Sequence, residues 1–200
     1  MGNSASASNL PALQTTAVST ADMMGTWFVI AVKPTIFEKT CSNAVEKYSL
    51  MWDSDDDKKK TSSKFDINID FQYNSDEPIE SKLKALPQKG WVQGEDKTVS
   101  GDWKVSPLYP IKMPFLILEA DKNCKDYTVI GYPSRDYCWI MSRKPVMKES
   151  TYNMLTEKLT KEHQYDLEGL RKVPQKWTKE EREKRGLTVE EVPNSVLTTK

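Results

Sequence analysis

The chain has 200 residues, of which 38% are hydrophobic and 29% are charged, a composition typical of a soluble globular protein with one domain and tails. Lys and Arg together number 29, as do Asp and Glu, so the formal net charge is zero. This balance excludes the basic surplus of a nucleic-acid-binding protein, and we expect no nucleic-acid partner. No segment approaches the ~20 apolar residues of a membrane-spanning helix.

The N-terminus begins Met1-Gly2-Asn3-Ser4-Ala5-Ser6 and lacks the basic and apolar regions of a secretory signal. It fits the N-myristoylation pattern, with Gly2 as acceptor and Ser6 at the required spacing. A Met-Gly start is also common without acylation, so both alternatives stay open. One acyl chain holds a protein to a membrane only marginally, which predicts reversible anchoring. Residues 1–21, rich in Ser, Ala and Thr, are predicted to form a flexible tail.

Short apolar segments separated by turn residues predict an all-β fold between Gly25 and Arg143. The clearest segment is Phe65–Tyr73, where apolar and polar residues alternate at every step. Pro87 predicts an edge or a bulge in the fourth strand. Eight strands suffice for a closed up-and-down antiparallel barrel that holds one small ligand. The predicted strands lie near residues 26–33, 43–52, 65–73, 79–92, 101–107, 115–120, 127–131 and 136–142.

The remaining segments are predicted to surround this barrel. Residues 34–40 form a loop over one mouth, and the charged residues 53–60 form a solvated hairpin loop, with calcium binding as a weaker alternative because the spacing is not that of an EF-hand. Residues 148–163 form a helix that packs outside the barrel, because Leu155 and Leu159 share one helical face. Residues 176–200 form a charged tail that includes a short capped helix.

Three cysteines, Cys41, Cys124 and Cys138, occur without a C-x-x-C pair. Because the chain has a single histidine, no Cys/His metal site is predicted, and we expect no cofactor. We interpret the cysteines as reduced thiols of a cytosolic protein. The alternative is one disulfide and one spare thiol.

Four ordered motifs resemble the lipocalin family over residues 22–175: Gly25–Ala31, Tyr48–Leu50, Ile130–Tyr137 and Trp139–Pro145. The similarity is greatest to the branch that holds bacterial lipocalins, apolipoprotein D and plant temperature-induced lipocalins. This resemblance implies an eight-stranded calyx that binds fatty acids, lysophospholipids, sterols, retinoids or pigments.

The resemblance also implies roles for individual residues. Gly25, Trp27 and Arg143 would close the base of the barrel, with the Arg143 guanidinium over the Trp27 ring in a cation–π contact worth about 1 kcal/mol or more. Tyr48 and Trp139 match calyx-lining positions. The disulfide pattern of secreted members is incomplete here, since no cysteine follows Cys138. A cytoplasmic or peripheral membrane location is therefore expected over secretion.

Alternation along the strands assigns the side chains that face the ligand. If Arg143 points inward, Trp139 and Met141 do so too, and Cys138 points outward. Asp66 and Asp70 are expected outside, because burying an unpaired carboxylate is costly. The alternative is that the inward side chains fill the barrel as a solid core. The predicted ligand-binding residues are Tyr48, Phe65, Ile67, Ile69, Phe71, Trp91, Trp103, Phe115, Ile117, Trp139 and Met141.

These observations predict a non-enzymatic protein, a monomer or weak dimer, that binds and carries or scavenges a small lipophilic ligand at a membrane surface. One alternative is an enzyme of the same fold: a de-epoxidase would need Asp66, Asp70 or Glu119 as an internal acid, and an isomerase would need a cysteine on the cavity wall. Another is an interaction protein whose charged tail, Trp177–Lys200, docks a partner.

Overall fold

Eight antiparallel strands form a closed barrel in the computed structural model, which describes residues 10–35, 38–52 and 64–198. Each strand pairs with the next in the chain, and the last pairs with the first. The predicted fold class is thereby confirmed; Gly2 and the predicted loop at 53–60 lie outside the described residues. The barrel strands are β1 (Gly25–Lys33), β2 (Ser42–Leu50), β3 (Ile67–Asn74), β4 (Leu83–Val92), β5 (Asp102–Leu108), β6 (Ile111–Ala120), β7 (Tyr127–Gly131) and β8 (Cys138–Ser142).

Alternation of side chains divides each strand between the interior and the outside. In β3, Ile67, Ile69 and Phe71 are buried in the interior cluster, whereas Asn68 and Asp70 between them are half-buried. The period of two in the sequence therefore corresponds to the two faces of the barrel wall.

The barrel wall is weakly paired on one side. Strand β4 pairs with β5 only between Lys89–Val92 and Trp103–Ser106. Residues 83–88 pair with β3 but have no described partner on the β5 side. Pro87 lies in this edge. Proline has no backbone N–H to donate, but no hydrogen bonds between β4 and β5 are lost here because the two strands are not paired at this position. The strand runs through Pro87 without interruption.

The segment after the barrel fills a second gap, between β1 and β2. These two strands pair only over Gly25–Phe28 of β1. Nearer the C-terminal end of β1, a two-residue strand, Arg171–Lys172, pairs with Ala31 and Val32 instead. The Gln175 side-chain amide donates to the carbonyl of Val29 at 2.9 Å. This segment therefore satisfies backbone groups that the splayed strands leave free.

Helix α1 (Glu149–Lys161) packs on the outside of the barrel. Its buried Leu155 and Leu159 belong to the same cluster as Leu118, Cys138 and Ile140, which lie on the outward faces of their strands. Within the part of the chain described, neither α1 nor any other helix combines the length and apolar content needed to cross a bilayer.

Residues 176–198 pack against another part of the outer wall. Trp177 is 1% exposed, and its ring meets that of Phe28 edge-on, with centroids 5.7 Å apart. Helix α2 (Lys179–Lys184) begins with a capping bond in which the Glu181 amide donates to Oγ1 of Thr178 at 3.1 Å. Apolar contacts thus join this charged segment to the barrel.

The N-terminal segment crosses the base of the barrel. The amide of Thr16 donates to the carbonyl of Ile117 at 2.8 Å, and the short strand Val18–Ser19 pairs with Val99–Ser100. A Cβ at Gly101 would lie 2.3 Å from the carbonyl oxygen of Thr16, so only glycine permits this close approach.

The Trp27 ring and the Arg143 guanidinium lie together at this base. Trp27 is fully buried, and Cζ of Arg143 stands 3.7 Å from the ring centroid. The same guanidinium donates to the carbonyl oxygens of Thr26 at 3.0 Å, Asp22 at 2.6 Å and Cys124 at 2.9 Å. Arg143 therefore connects the first strand, the segment before it and the turn before β7.

The backbone at Gly25 accommodates this contact. Its φ is +93°, a left-handed value that favours glycine, and an added Cβ would lie 3.3 Å from Nη1 of Arg143. Gly25 thus lets the start of β1 turn beneath the guanidinium.

We predict that Arg143→Lys lowers the free energy of unfolding by about 2 kcal/mol, because one ammonium cannot replace three hydrogen bonds from a planar guanidinium. Equilibrium unfolding in urea measures this loss. Arg143→Gln, which also removes the charge and its cation–π contact, should be less stable than the lysine variant. A lysine variant as stable as the parent protein would show that the three hydrogen bonds of the Arg143 guanidinium do not stabilise the fold.

Candidate functional site

A cavity of about 230 Å³ lies inside the barrel, towards the end opposite Trp27. Five of the predicted ligand-binding residues line it. They are Ile69 and Phe71 from β3, Phe115 from β6, and Trp139 and Met141 from β8. The inward orientation deduced for β8 thus places Trp139 and Met141 on the cavity wall.

Four other predicted residues fill the barrel below the cavity. Tyr48, Ile67, Trp103 and Ile117 are all buried in the interior cluster. The Trp103 ring stacks on Phe115 with centroids 5.7 Å apart. The interior is therefore a packed core near the base and a cavity above it.

The last two predicted residues, Phe65 and Trp91, lie outside the barrel interior. Trp91 points outward because its neighbour Val92 points inward, and Nζ of Lys112 stands 3.9 Å from the Trp91 ring centroid. Phe65 lies in a bend before β3 begins, so the alternation of that strand does not extend to it. Nζ of Lys89 stands 5.0 Å from its ring centroid.

Strands β4 to β6 contribute further lining residues that the sequence did not single out. These residues are Leu86, Gln88, Val105, Pro107, Met113 and Pro114. Leu86, Gln88 and Pro107 lie where strands β4 and β5 are not paired.

Two carboxyl groups on the cavity wall, Glu38 and Glu46, were also not predicted. They are 5% and 6% exposed. A signal for Glu46 was present in the sequence: it stands two residues before Tyr48 in β2, so the two share the inward face. Glu38 lies in the loop after β1, where no strand periodicity applies.

Hydrogen bonds hold both carboxylates in place. Glu38 accepts a bond from Nε1 of Trp139 at 2.7 Å and another from Oγ1 of Thr35 at 2.9 Å. Glu46 accepts a bond from the Tyr48 hydroxyl. Burial raises the pKa of Glu46 to about 7, with a smaller contribution from the negative charge of Glu38. The Tyr48 hydrogen bond opposes this rise.

The acids considered for catalysis lie elsewhere. Asp66 is buried in an ion pair with Nζ of Lys97 at 2.8 Å, and Asp70 accepts a bond from its outward neighbour Gln72. Glu119 contacts Nζ of Lys158 in helix α1 at 2.7 Å. None of these three carboxylates lines the cavity.

The cysteines and the possible metal ligands are also separate from the cavity. Cys41, Cys124 and Cys138 are free and buried, and none is a lining residue. Burial raises the pKa of Cys138 to about 12, which suppresses the thiolate needed for nucleophilic chemistry. Among described residues, one group of three possible metal ligands occurs, Glu119 with Glu162 and His163.

Comparisons with known proteins agree with this architecture. The family model described as a lipocalin-like domain matches residues 18–175. Temperature-induced lipocalin-1 of Arabidopsis thaliana is 41% identical over 69 residues, which span 34% of this chain and only 36% of that protein. The outer membrane lipoprotein Blc of Citrobacter freundii is 28% identical over 140 residues, 70% of each chain.

Solved structures show the same fold at low sequence identity. Insecticyanin of the tobacco hornworm Manduca sexta superimposes with a TM-score of 0.58 at 16% identity, covering 86% of this chain and 87% of its own. Lobster apocrustacyanin A1 superimposes with a TM-score of 0.55 at 16% identity, covering 78% of this chain and 79% of its own.

We predict that Glu46 makes stability fall as pH rises. Its pKa is about 7 in the folded protein against an ordinary value of 4.5, so between these values the folded state binds more protons than the unfolded state. The free energy of unfolding should therefore decrease across this window, by a contribution on the order of 3 kcal/mol, and Glu46→Gln should remove that contribution.

Urea unfolding of both proteins at several pH values measures this difference. Glu95→Gln, which changes an exposed carboxylate, is the matched control and should follow the parent protein. A constant stability difference between the parent protein and Glu46→Gln from about pH 4 to 8 would contradict the assignment.

Proposed function

Because the chain belongs to the lipocalin family, we propose that it binds a small lipophilic ligand in the barrel cavity and carries or scavenges it. The observation that carries this proposal is the cavity of about 230 Å³ itself, whose wall is mainly apolar and includes Ile69, Phe71, Phe115 and Met141. Apolar surface removed from water on such walls contributes roughly 25 cal/mol per Å² before the costs of binding.

The position of the cavity supports reversible binding. Its lining includes Leu86 and Gln88 of β4 and Pro107 of β5, where these two strands are not paired. A wall without a hydrogen-bond ladder can separate at lower cost than a paired one. Ligand entry along this side of the barrel would break few backbone hydrogen bonds.

The role that we propose is non-enzymatic. The three carboxylates considered for a de-epoxidase bond to groups outside the cavity, and the cysteines considered for an isomerase are buried away from it. None of the residues considered for those alternatives therefore lines the cavity.

We predict that Met113→Trp, which adds bulk to the cavity wall, weakens binding of a neutral phenylnaphthylamine fluorophore by at least about tenfold. Fluorescence titration of delipidated protein measures the affinity. Val146→Trp, at a site that is 62% exposed, is the matched control and should bind as the parent protein does. If the parent protein does not bind the fluorophore, and native mass spectrometry finds no lipid on the purified protein, the proposed function is wrong.

We further propose that the protein acts as a monomer or weak dimer at the cytoplasmic face of a membrane. The β5–β6 hairpin exposes three large apolar side chains, Leu108 at 53%, Tyr109 at 68% and Ile111 at 67%. Lys89 and Lys112 stand beside the same hairpin, over the rings of Tyr109 and Trp91. Apolar side chains flanked by lysines suit insertion at an anionic lipid surface.

Acylation of Gly2 would add the second attachment that stable membrane binding requires. The relative from Citrobacter is, by its name, a lipoprotein of the outer membrane, which supports an association of this kind.

We predict that the double variant Leu108→Asp, Ile111→Asp reduces binding to phosphatidylserine-containing vesicles by about tenfold or more, because charged side chains oppose insertion. Vesicle cosedimentation measures the bound fraction. Val189→Asp, at another exposed apolar residue, is the control and should change little. Gly2→Ala, expressed in cells that acylate proteins, tests the acyl chain separately. Equal sedimentation of all variants would reject the membrane proposal while leaving ligand binding intact.

A further inference from the structure

The wall of the cavity carries negative charge without a balancing cation. Glu38 and Glu46 line it, and no Lys, Arg or His side chain does so among the described residues. Arg171 bonds to the loop that holds Glu38, but its Nη2 donates to the backbone carbonyls of Glu38 and Cys41 at 2.5 and 2.8 Å. Arg171 is not among the lining residues.

The two carboxylates differ in how far the protein satisfies them. Glu38 receives hydrogen bonds at both of its oxygens, from Trp139 and from Thr35. Glu46 receives one, from Tyr48 to Oε2, and its Oε1 accepts none from the residues that the structure describes. Among the described residues, therefore, Oε1 of this cavity-lining side chain, which is 6% exposed, has no hydrogen-bond donor.

The two carboxylates on the cavity wall should bind some ligand head groups more favourably than others. A carboxylate that entered beside Glu38 and Glu46 would leave water without gaining a cation, and like charges at short range oppose it. An ammonium group could donate to Oε1 of Glu46 in a charge-assisted hydrogen bond, and a hydroxyl group could donate there without a charge to desolvate.

We propose that Glu38 and Glu46 make the cavity selective for lipophilic ligands whose polar end donates hydrogen bonds, an amine or an alcohol, over ligands that end in a carboxylate. This selectivity rests on the proposed function, since it assigns a ligand class to the same cavity. It excludes simple fatty acids as the preferred ligands. It favours long-chain amines most strongly, because only an ammonium group also compensates the negative charge of the two carboxylates.

The test compares three probes with the same alkyl chain: decylamine, decanol and decanoate. Each displaces the neutral fluorophore from the protein at about pH 8, where Glu46, with its pKa of about 7, is mostly ionised. We expect decylamine to bind about tenfold more tightly than decanoate, the fold-change of one charge-assisted hydrogen bond.

Two variants assign this preference to the carboxylates. Glu46→Gln and Glu38→Gln should each reduce the ratio of amine to carboxylate affinity several-fold, with the larger effect at Glu46, whose Oε1 accepts no bond from any residue in the described ranges. Glu95→Gln, an exposed carboxylate outside the cavity, is the matched control and should leave the ratio unchanged. Displacement by decanol in every variant shows that the cavity remains formed.

The results distinguish a loss of selectivity from a loss of ligand binding. If the probes bind but decanoate binds as tightly as decylamine, or if neither glutamine variant changes the ratio, the selectivity is overturned and ligand binding stands. If the fluorophore and all three probes fail to bind the parent protein, the proposed function fails and the selectivity falls with it.

Discussion

The guanidinium of Arg143 joins three parts of the chain at the base of the barrel: the first strand, the segment before it and the turn before β7. It covers the Trp27 ring and donates to carbonyls of Asp22, Thr26 and Cys124. A closed barrel needs one end sealed if its interior is to hold an apolar ligand rather than water. Because these contacts close the lower end, the side chains above it can enclose a cavity, whose lining includes residues of β4 and β5.

The interior combines two requirements that oppose each other. Apolar side chains on most of the cavity wall favour a lipophilic ligand, whereas Glu38 and Glu46 place carboxylates in surroundings that disfavour charge. Hydrogen bonds from Trp139, Thr35 and Tyr48 compensate this burial only in part. Such incompletely compensated polar groups are where a binding site distinguishes one ligand head group from another.

Side-chain alternation predicts which residues face the barrel interior only where the strands are regular. Trp139 and Met141 face the cavity, as the orientation of Arg143 predicted, because Arg143 directly follows β8 and continues its alternation. Phe65 was assigned inward by the same rule, but the chain bends before β3 begins. Glu46 was missed although Tyr48 indicates its orientation, since an acid was not expected inside.

The sequence by itself determined the fold class and the number of strands, because these follow from local periodicity. The resemblance of its motifs to the lipocalin family identified the two residues that meet at the base. The tertiary structure alone decided how much of the interior is solid and how much is cavity. It also decided which acids face the cavity, because Glu38 reaches the cavity from a loop and its partner Trp139 lies 101 residues away. Contacts between segments so distant depend on barrel closure, which no local pattern encodes.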